Sequence, residues 1–209
     1  RAIGVREGTS YIIFTMKIHI LFGMIGFILL SGCNRAAEKN PRFYDAGVSR
    51  ELAGHRKAQI KNLKYELSFN IPRQKEVAIE GDITLRFDLA SRQEVLIDFR
   101  EEREKIKEVI ANGVPVDKVR FENEHIILPA SSTVEGANGI RIRFTAGNQS
   151  LNRNDEYLYT LLVPDRARTV FPCFEQPNLK AEFTLQLELP ADWKAVSNTY
   201  IRSETVTDD

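Results

Sequence analysis

The side chains from which metal centres and nucleophilic sites are most often built are scarce in this sequence. It holds three histidines, His19, His55 and His125, and two cysteines, Cys33 and Cys173, in 209 residues. No H-E-x-x-H run occurs, and no two histidines stand at metal-ligand spacing, so no zinc site is expected in this chain. Excess charge is missing as well. Lys+Arg and Asp+Glu each number 29, which leaves no net field to draw the chain onto nucleic acid or acidic lipid. No basic stripe interleaved with aromatics is present either, which excludes the usual nucleic-acid footprint. A phosphate-cradling loop is also lacking, because Gly136-Ala137-Asn138-Gly139 leads into a strand-like stretch rather than a helix. A Ser-His-Asp set can be written from Ser131, His125 and Asp117, but nothing in the sequence brings the three together.

A long apolar run is the next absence. The run Ile18 to Leu30 falls short of the ~20 residues that a membrane-spanning helix needs. Extending it back to Tyr11 would place Lys17 inside the span. The segment reads better as a targeting signal: Met16-Lys17 opens it, the apolar run follows, and Leu30-Ser31-Gly32-Cys33 closes it in the form of a bacterial lipobox. Small residues before the thiol suit signal cleavage, and Cys33 is the expected lipid attachment site. The expected division is an upstream extension (1–15), a lipoprotein signal peptide (16–32), a polar tether (33–47) and a folded domain (48–209). A lipid bilayer reached through Cys33, in a bacterial cell envelope, is the partner this pattern implies. Cys173 is then left alone in a Phe-Pro-Cys-Phe setting, where a buried apolar role suits it better than nucleophilic chemistry.

Ser49 is a candidate N-cap for a short helix within Val48 to Ile60. From Leu63 the apolar period changes to two: Leu63, Tyr65, Leu67, Phe69 and Ile71, then Val77, Ile79, Ile83, Leu85, Phe87 and Leu89. Such alternation marks half-buried antiparallel strands. The break at Pro72 to Lys75 is short enough for a hairpin loop, and Gly81 marks a candidate bulge. Val95, Ile97 and Phe99 make a third strand, and Arg100 to Lys105 reads as a solvated charged run. Asn112-Gly113 is a hairpin turn signal between Ile106–Ala111 and Val114–Phe121. Strands are further expected at His125–Leu128, Ile140–Phe144, Tyr157–Val163 and Phe183–Leu189. His55 and His125 read as ordinary surface or strand histidines. Many short strands separated by turn signals predict an all-β antiparallel sandwich. Leu67, Phe69, Ile83, Leu85, Phe87, Phe144, Leu185 and Leu187 are its expected interior.

The run Thr169-Val-Phe-Pro-Cys-Phe-Glu-Gln-Pro-Asn-Leu-Lys-Ala181 is the most distinctive in the chain. After it come Phe183 to Pro190, then Trp193 and Ser197-Asn198. In this order the segments resemble the N-terminal domain of the aminopeptidase-N family of zinc metallopeptidases, which reads F-P-C-F-D-E-P, K-A, alternating apolar residues, P-x-x-W and S-N. The resemblance also takes in Leu151–Asn154, Tyr157–Arg168, Tyr65–Ile71 and Gly81–Phe87, so it covers about Val48 to Asn198. It implies a saddle-shaped β domain that walls one side of a peptide cleft and packs on the protein's own catalytic domain. Zinc is implied for the parent enzyme, with its ligands and catalytic residues beyond this chain. No catalytic residue is expected here.

The sequence departs from that pattern in two places. Glu175-Gln176 stands where the family has Asp-Glu, so one carboxylate is lost. In many members a Glu or Gln before a Pro, several residues ahead of F-P-C-F, holds the substrate's free amino group. The matching pair here is Val163-Pro164, and valine accepts no hydrogen bond from an ammonium group. The resemblance thus makes Val163, Pro164 and Arg166 the cleft-facing candidates. Arg166 could hold a substrate carboxylate, whereas an ion pair of Arg166, Arg168 or Lys180 with Asp165 or Glu175 would pin the loop instead. Trp193 is expected to pack under the sandwich. A free-standing β-sandwich lipoprotein that binds a peptide, sugar or protein without catalysis is the competing expectation. Reading the gene past Asp209 for G-x-M-E-N and H-E-x-x-H separates the two.

Overall fold

A computed structural model describes residues 41–205. Cys33, His19 and the expected extension, signal and first part of the tether lie outside the described residues. A 3-10 turn at Pro41–Tyr44 precedes helix α1 (Arg50–Gln59). Ser49 caps this helix, its hydroxyl accepting the Leu52 N–H at 3.1 Å. Glu51 in the first turn and Arg56 and Lys57 in the last complement the helix dipole. Residues 41–47, expected as the end of a tether, lie against the fold instead: Phe43 and Tyr44 pack against Leu52, Leu96 and Ile127. Two large aromatics so close together supply enough apolar surface to dock a segment that is otherwise polar.

The strands follow as β1 (Ile60–Asn70), β2 (Glu80–Leu89), β3 (Val95–Asp98), β4 (Ile106–Ala111) and β5 (Val114–Pro115). After them come β6 (Arg120–Glu122), β7 (His125–Leu128), β8 (Gly136–Thr145), β9 (Leu151–Arg153), β10 (Leu158–Thr160) and β11 (Glu182–Glu188). One sheet has the order β11-β1-β2-β8-β4-β5, a second β3-β7-β6, and β9 pairs with β10. All pairings are antiparallel except β1 with β11. The all-β expectation therefore holds, with one parallel edge. Asn112 and Gly113 both have positive φ, 52° and 81°, as the tight β4–β5 hairpin requires.

The layers follow from alternation. Ile83, Leu85, Ile140, Ile142 and Phe144 of the large sheet share a core with Val95, Ile97, Ile126 and Leu128 of the small one. Strands β3 and β7 are buried along their whole length. Their second face carries Leu96 and Ile127, which meet Leu52 of α1. Asp98 and His125, opposite each other in the β3–β7 register, share that second face by the same alternation. The helix thus covers a sheet face that carries two polar side chains.

Two local expectations are corrected. Gly81 sits in regular register opposite Phe144 and Phe69, not in a bulge. A Cβ there would stand 2.4 Å from the Phe144 ring, so the glycine makes room for an aromatic that also meets Phe69 and Phe99 edge-on. The irregularity in the pairing falls between Lys61 and Lys64. Leu185 is 46% exposed rather than interior, and Leu187 is half-buried. Both point to the core side, in register with Leu67 and Phe69. Their strand is the sheet's edge, where alternation gives the face but not the cover.

Candidate functional site

The segment between β9 and β11 joins an exposed strip to a buried anchor. Arg153 at the end of β9 donates to the carbonyls of Gln74 and Val77 at 2.7 and 2.8 Å, and also to Pro72. This ties the β9–β10 hairpin to the β1–β2 loop. Asn154 Oδ1 accepts the N–H groups of Glu156 and Tyr157 at 2.8 and 2.9 Å and sets the turn. Beyond the turn, Tyr157, Tyr159, Leu161 and Val163 alternate on the outside, each at least half exposed. Regular pairing here is confined to β10, shorter than the Tyr157–Val163 strand expected. Val163 is 83% exposed, which removes the option that it ends a core strand. Pro164 and Arg166 are exposed beside it, and the Arg166 guanidinium makes no ion pair among the described residues.

The chain turns inward directly afterwards. Arg168 is 4% exposed. It pairs with Asp165 at 2.7 Å and with Glu124, and its backbone N–H donates to Glu175 Oε2 at 2.8 Å. The loop-pinning ion pair foreseen for this region is thus made by Arg168 with Asp165. Ser150 and Thr169 share a buried hydroxyl bond of 2.7 Å.

The Phe171–Gln176 motif is the anchor itself. Cys173 and Asp98 exchange backbone hydrogen bonds, which splices the motif onto the end of β3. The Phe174 N–H donates to the Tyr65 hydroxyl at 2.9 Å, and its ring meets Phe87 edge-on and the Arg56 guanidinium. The Glu175 N–H donates to Asp98 Oδ2 at 2.8 Å. Gln176 Nε2 donates to the Ala53 carbonyl of α1 at 3.1 Å and to Asn178 Oδ1 at 2.9 Å. Both partners are acceptors, so an amide fits where a carboxylate would not. That contact accounts for glutamine where the family pattern has glutamate.

Asp98 is the hub, a role that no motif or periodicity marks. It is fully buried, and Arg56 reaches it from α1 with two hydrogen bonds of 2.6 and 2.8 Å. His125 Nδ1 stands 2.8 Å from Oδ1, an oxygen that Arg56 also reaches. Burial alone pushes this carboxyl up, but the charge of Arg56 and the His125 hydrogen bond hold it below the usual range. Burial raises Glu175, with its Arg168 N–H bond opposing. Burial also pushes the Cys173 thiol well up, helped by Glu175, so it is a poor nucleophile and a poor metal ligand.

These residues do not fit a zinc centre. Both ring nitrogens of His125 are engaged, by Asp98 and by the Asp45 carbonyl, and His55 Nε2 is 2.6 Å from Gln93 Oε1. Among the described residues no group of three or more His, Cys, Asp or Glu side chains converges for a metal. Ser131 and Asp117 take no part in the His125 contacts, so the triad written from the sequence is not assembled. A surface depression of about 270 Å³ lined by Ser68, Asn70, Asp82 and Arg143 includes no residue of the 157–176 segment.

Comparison with known proteins agrees with this arrangement. Residues 61–209 match the peptidase M1 N-terminal domain. Aminopeptidase N of Streptomyces lividans is 32% identical over 166 residues, 73% of this chain and 19% of that protein. Glutamyl aminopeptidase of Sus scrofa is 44% identical over 46 residues, 22% of this chain and 5% of that one. Native yeast LTA4 hydrolase superposes with a TM-score of 0.55 at 19% identity, over 75% of this chain and 26% of its own. An M1 zinc metallopeptidase from Deinococcus radiodurans superposes with a TM-score of 0.51 at 18% identity, over 62% of this chain and 32% of its own. The chain thus spans about a fifth of the Streptomyces enzyme and the amino-terminal portion of the family's architecture. With the match running through every strand from β1 to β11, the chain belongs to the peptidase M1 family, as its N-terminal domain.

Proposed function

We propose that this domain walls the substrate cleft of a membrane-anchored zinc aminopeptidase that removes N-terminal residues from peptides. The carrying observation is the family match across residues 61–209, in a chain that covers only 19% of the Streptomyces aminopeptidase. The Deinococcus relative is a zinc metallopeptidase, and the parent enzyme is proposed to hold zinc in a catalytic domain outside this chain. There the metal would polarise the peptide carbonyl and activate a water. The part played by the residues in hand is positional. Arg168 and the Asp98 hub fix the base of the 157–176 segment, while Val163, Pro164 and Arg166 face the peptide. Val163 offers apolar contact where other members offer an acceptor, and Arg166 offers a charge for a substrate carboxylate. Cys33 is proposed to carry lipid and hold the protein in the bacterial cell envelope.

The test is to sequence the gene past Asp209, express its whole product and assay aminoacyl anilides with and without a chelator. Turnover that a chelator abolishes and zinc restores is expected. A product that ends near Asp209 and shows no turnover overturns the proposal.

A further inference from the structure

His125 faces two acceptors with, in its neutral form, one proton. Its ring is fully buried at the start of β7. Nδ1 lies 2.8 Å from Asp98 Oδ1, and Nε2 lies 2.9 Å from the backbone carbonyl oxygen of Asp45. A carbonyl oxygen only accepts, and so does an ionised carboxylate. Asp98 is held in its ionised form by the Arg56 guanidinium and the Glu175 N–H. A neutral imidazole can therefore satisfy one of these acceptors, and only the imidazolium satisfies both. We infer that His125 is a proton-operated latch for residues 41–47: protonated, it ties the Asp45 carbonyl to Asp98, and deprotonated, it keeps the carboxylate and loosens the segment.

The order of loss follows from charge. The remaining N–H stays with the carboxylate, because a hydrogen bond to an ionised acceptor is the stronger. The charged and titratable groups around the ring come from every neighbouring element. Asp98 of β3 lies opposite it, and Arg56 of α1 bonds both oxygens of that carboxylate. Glu122 of β6 is its cross-strand neighbour. Glu124 precedes it in the chain and is paired with Arg100 and Arg168. Glu175 binds Asp98 through its backbone, and the Asp45 carboxylate is 4.0 Å from Arg42. Other contacts of the segment include the Tyr44–Glu94 bond, the Arg120 guanidinium over the Tyr44 ring, the Arg42–Glu51 pair at 3.3 Å, the Asn123 bond to the Tyr44 carbonyl at 2.8 Å, the Phe43–His55 ring contact at 4.9 Å and the packing of Phe43 and Tyr44 on Leu52, Leu96 and Ile127. They remain when the buried bond is lost, so deprotonation weakens the docking of the segment without abolishing it. Since the His55 ring meets Phe43 of the segment, the test must separate the two histidines.

Long-range proton–nitrogen NMR of the imidazole rings reads the state of His125 without any substitution. Hydrogen exchange of the 41–47 amides, corrected for the intrinsic rate, is followed in parallel from about pH 5 to 9. Both ring nitrogens should carry protons while the segment is protected. Protection of 41–47 should fall about tenfold on deprotonation, the effect of losing one charge-assisted hydrogen bond, with β2 and β8 unchanged. In His125→Gln the protection should no longer depend on pH. A docked state with one protonated ring nitrogen overturns the inference. So does protection that stays constant while the ring titrates, or a pH dependence that survives in His125→Gln.

Discussion

Asp98 and Cys173 exchange two backbone hydrogen bonds, 2.8 and 3.0 Å long, although 75 positions separate them in the chain. This bridge puts the Phe171–Gln176 motif at the end of β3, so the Asp98 side chain serves α1, β7 and the motif at once. Replacing Asp98 by Ala leaves Arg56 buried without its partner. A loss of about 3–5 kcal/mol is expected for breaking a buried pair from one side. Urea unfolding measures it, and a loss under 1 kcal/mol would show that the hub is dispensable. The pH dependence has a definite sign. The folded Asp98 carboxyl titrates below its unfolded value, so its contribution is present above about pH 4 and lost as pH falls through the folded value.

Glu175 behaves in the opposite way. Its carboxyl is raised by burial, so folding favours the protonated form and ionisation works against the fold. Stability from this group is full below the ordinary carboxyl value and is lost as pH rises through the folded one. Glu175→Gln keeps an oxygen to accept the Arg168 N–H and removes the charge. It should stabilise the domain at pH 7 and have little effect at pH 4. Thermal melts of the two proteins at both pH values check this, and a loss of stability at pH 7 would refute it.

In the large sheet the Phe144 ring lies directly over Gly81. Any side chain on Gly81 would drive that ring from its place against Phe69 and Phe99. Gly81→Val should cost about 1–3 kcal/mol by overpacking, despite the better strand propensity of valine. Gly81→Val paired with Phe144→Leu should recover part of the loss. If Gly81→Val alone raises the melting temperature, the close approach has been misjudged.

Much of the fold was legible because alternation names the inward face of a strand without any tertiary knowledge. Leu67, Ile83, Leu85, Phe87 and Phe144 all lie inside as the period-two pattern requires. Ser49 and Asn112-Gly113 were readable for the same reason: a cap and a tight turn are local chemistry. Leu185 shows the limit, since its face was read correctly and the lack of cover over an edge strand was not. Gly81 shows another, because a bulge and an aromatic resting on a glycine leave the same mark in sequence. Asp98 and His125 were invisible as a pair. Each is one polar residue at the end of a short apolar strand, and their third partner, Arg56, looks like any charge near a helix C-terminus. The cleft candidates Val163, Pro164 and Arg166 came from resemblance alone. What the structure adds is that Val163 is exposed while Arg168, five residues on, is buried.

Cys33 is the one candidate whose test needs no structure. If the lipobox is cleaved and acylated, the mature chain partitions to membranes through several acyl chains, since one chain binds only marginally. Cys33→Ala should move the protein to the soluble envelope fraction and abolish incorporation of labelled fatty acid. Acylated, membrane-bound Cys33→Ala would rule the anchor out.

Val163 gives the sharpest test of the cleft reading. Its side chain is 83% exposed at the end of an apolar strip, so substitution there should be nearly free in stability, within about 0.5 kcal/mol. A carboxylate placed at this position would meet the ammonium group of a bound peptide with a charge-assisted hydrogen bond, worth about 1.5–3 kcal/mol. In the whole enzyme, Val163→Glu should therefore lower the apparent dissociation constant for aminoacyl substrates by roughly tenfold or more. It should leave the affinity for N-acetylated analogues unchanged, because they carry no ammonium group. Arg166→Ala serves as a second probe of the same surface and should weaken substrates that end in a free carboxylate near the cleft. The melting temperature of each variant, measured beside the Michaelis constants, separates recognition from folding. If Val163→Glu leaves both substrate classes unaffected in a fully folded enzyme, the segment does not face the peptide, and the exposed strip from Tyr157 to Val163 serves some other contact.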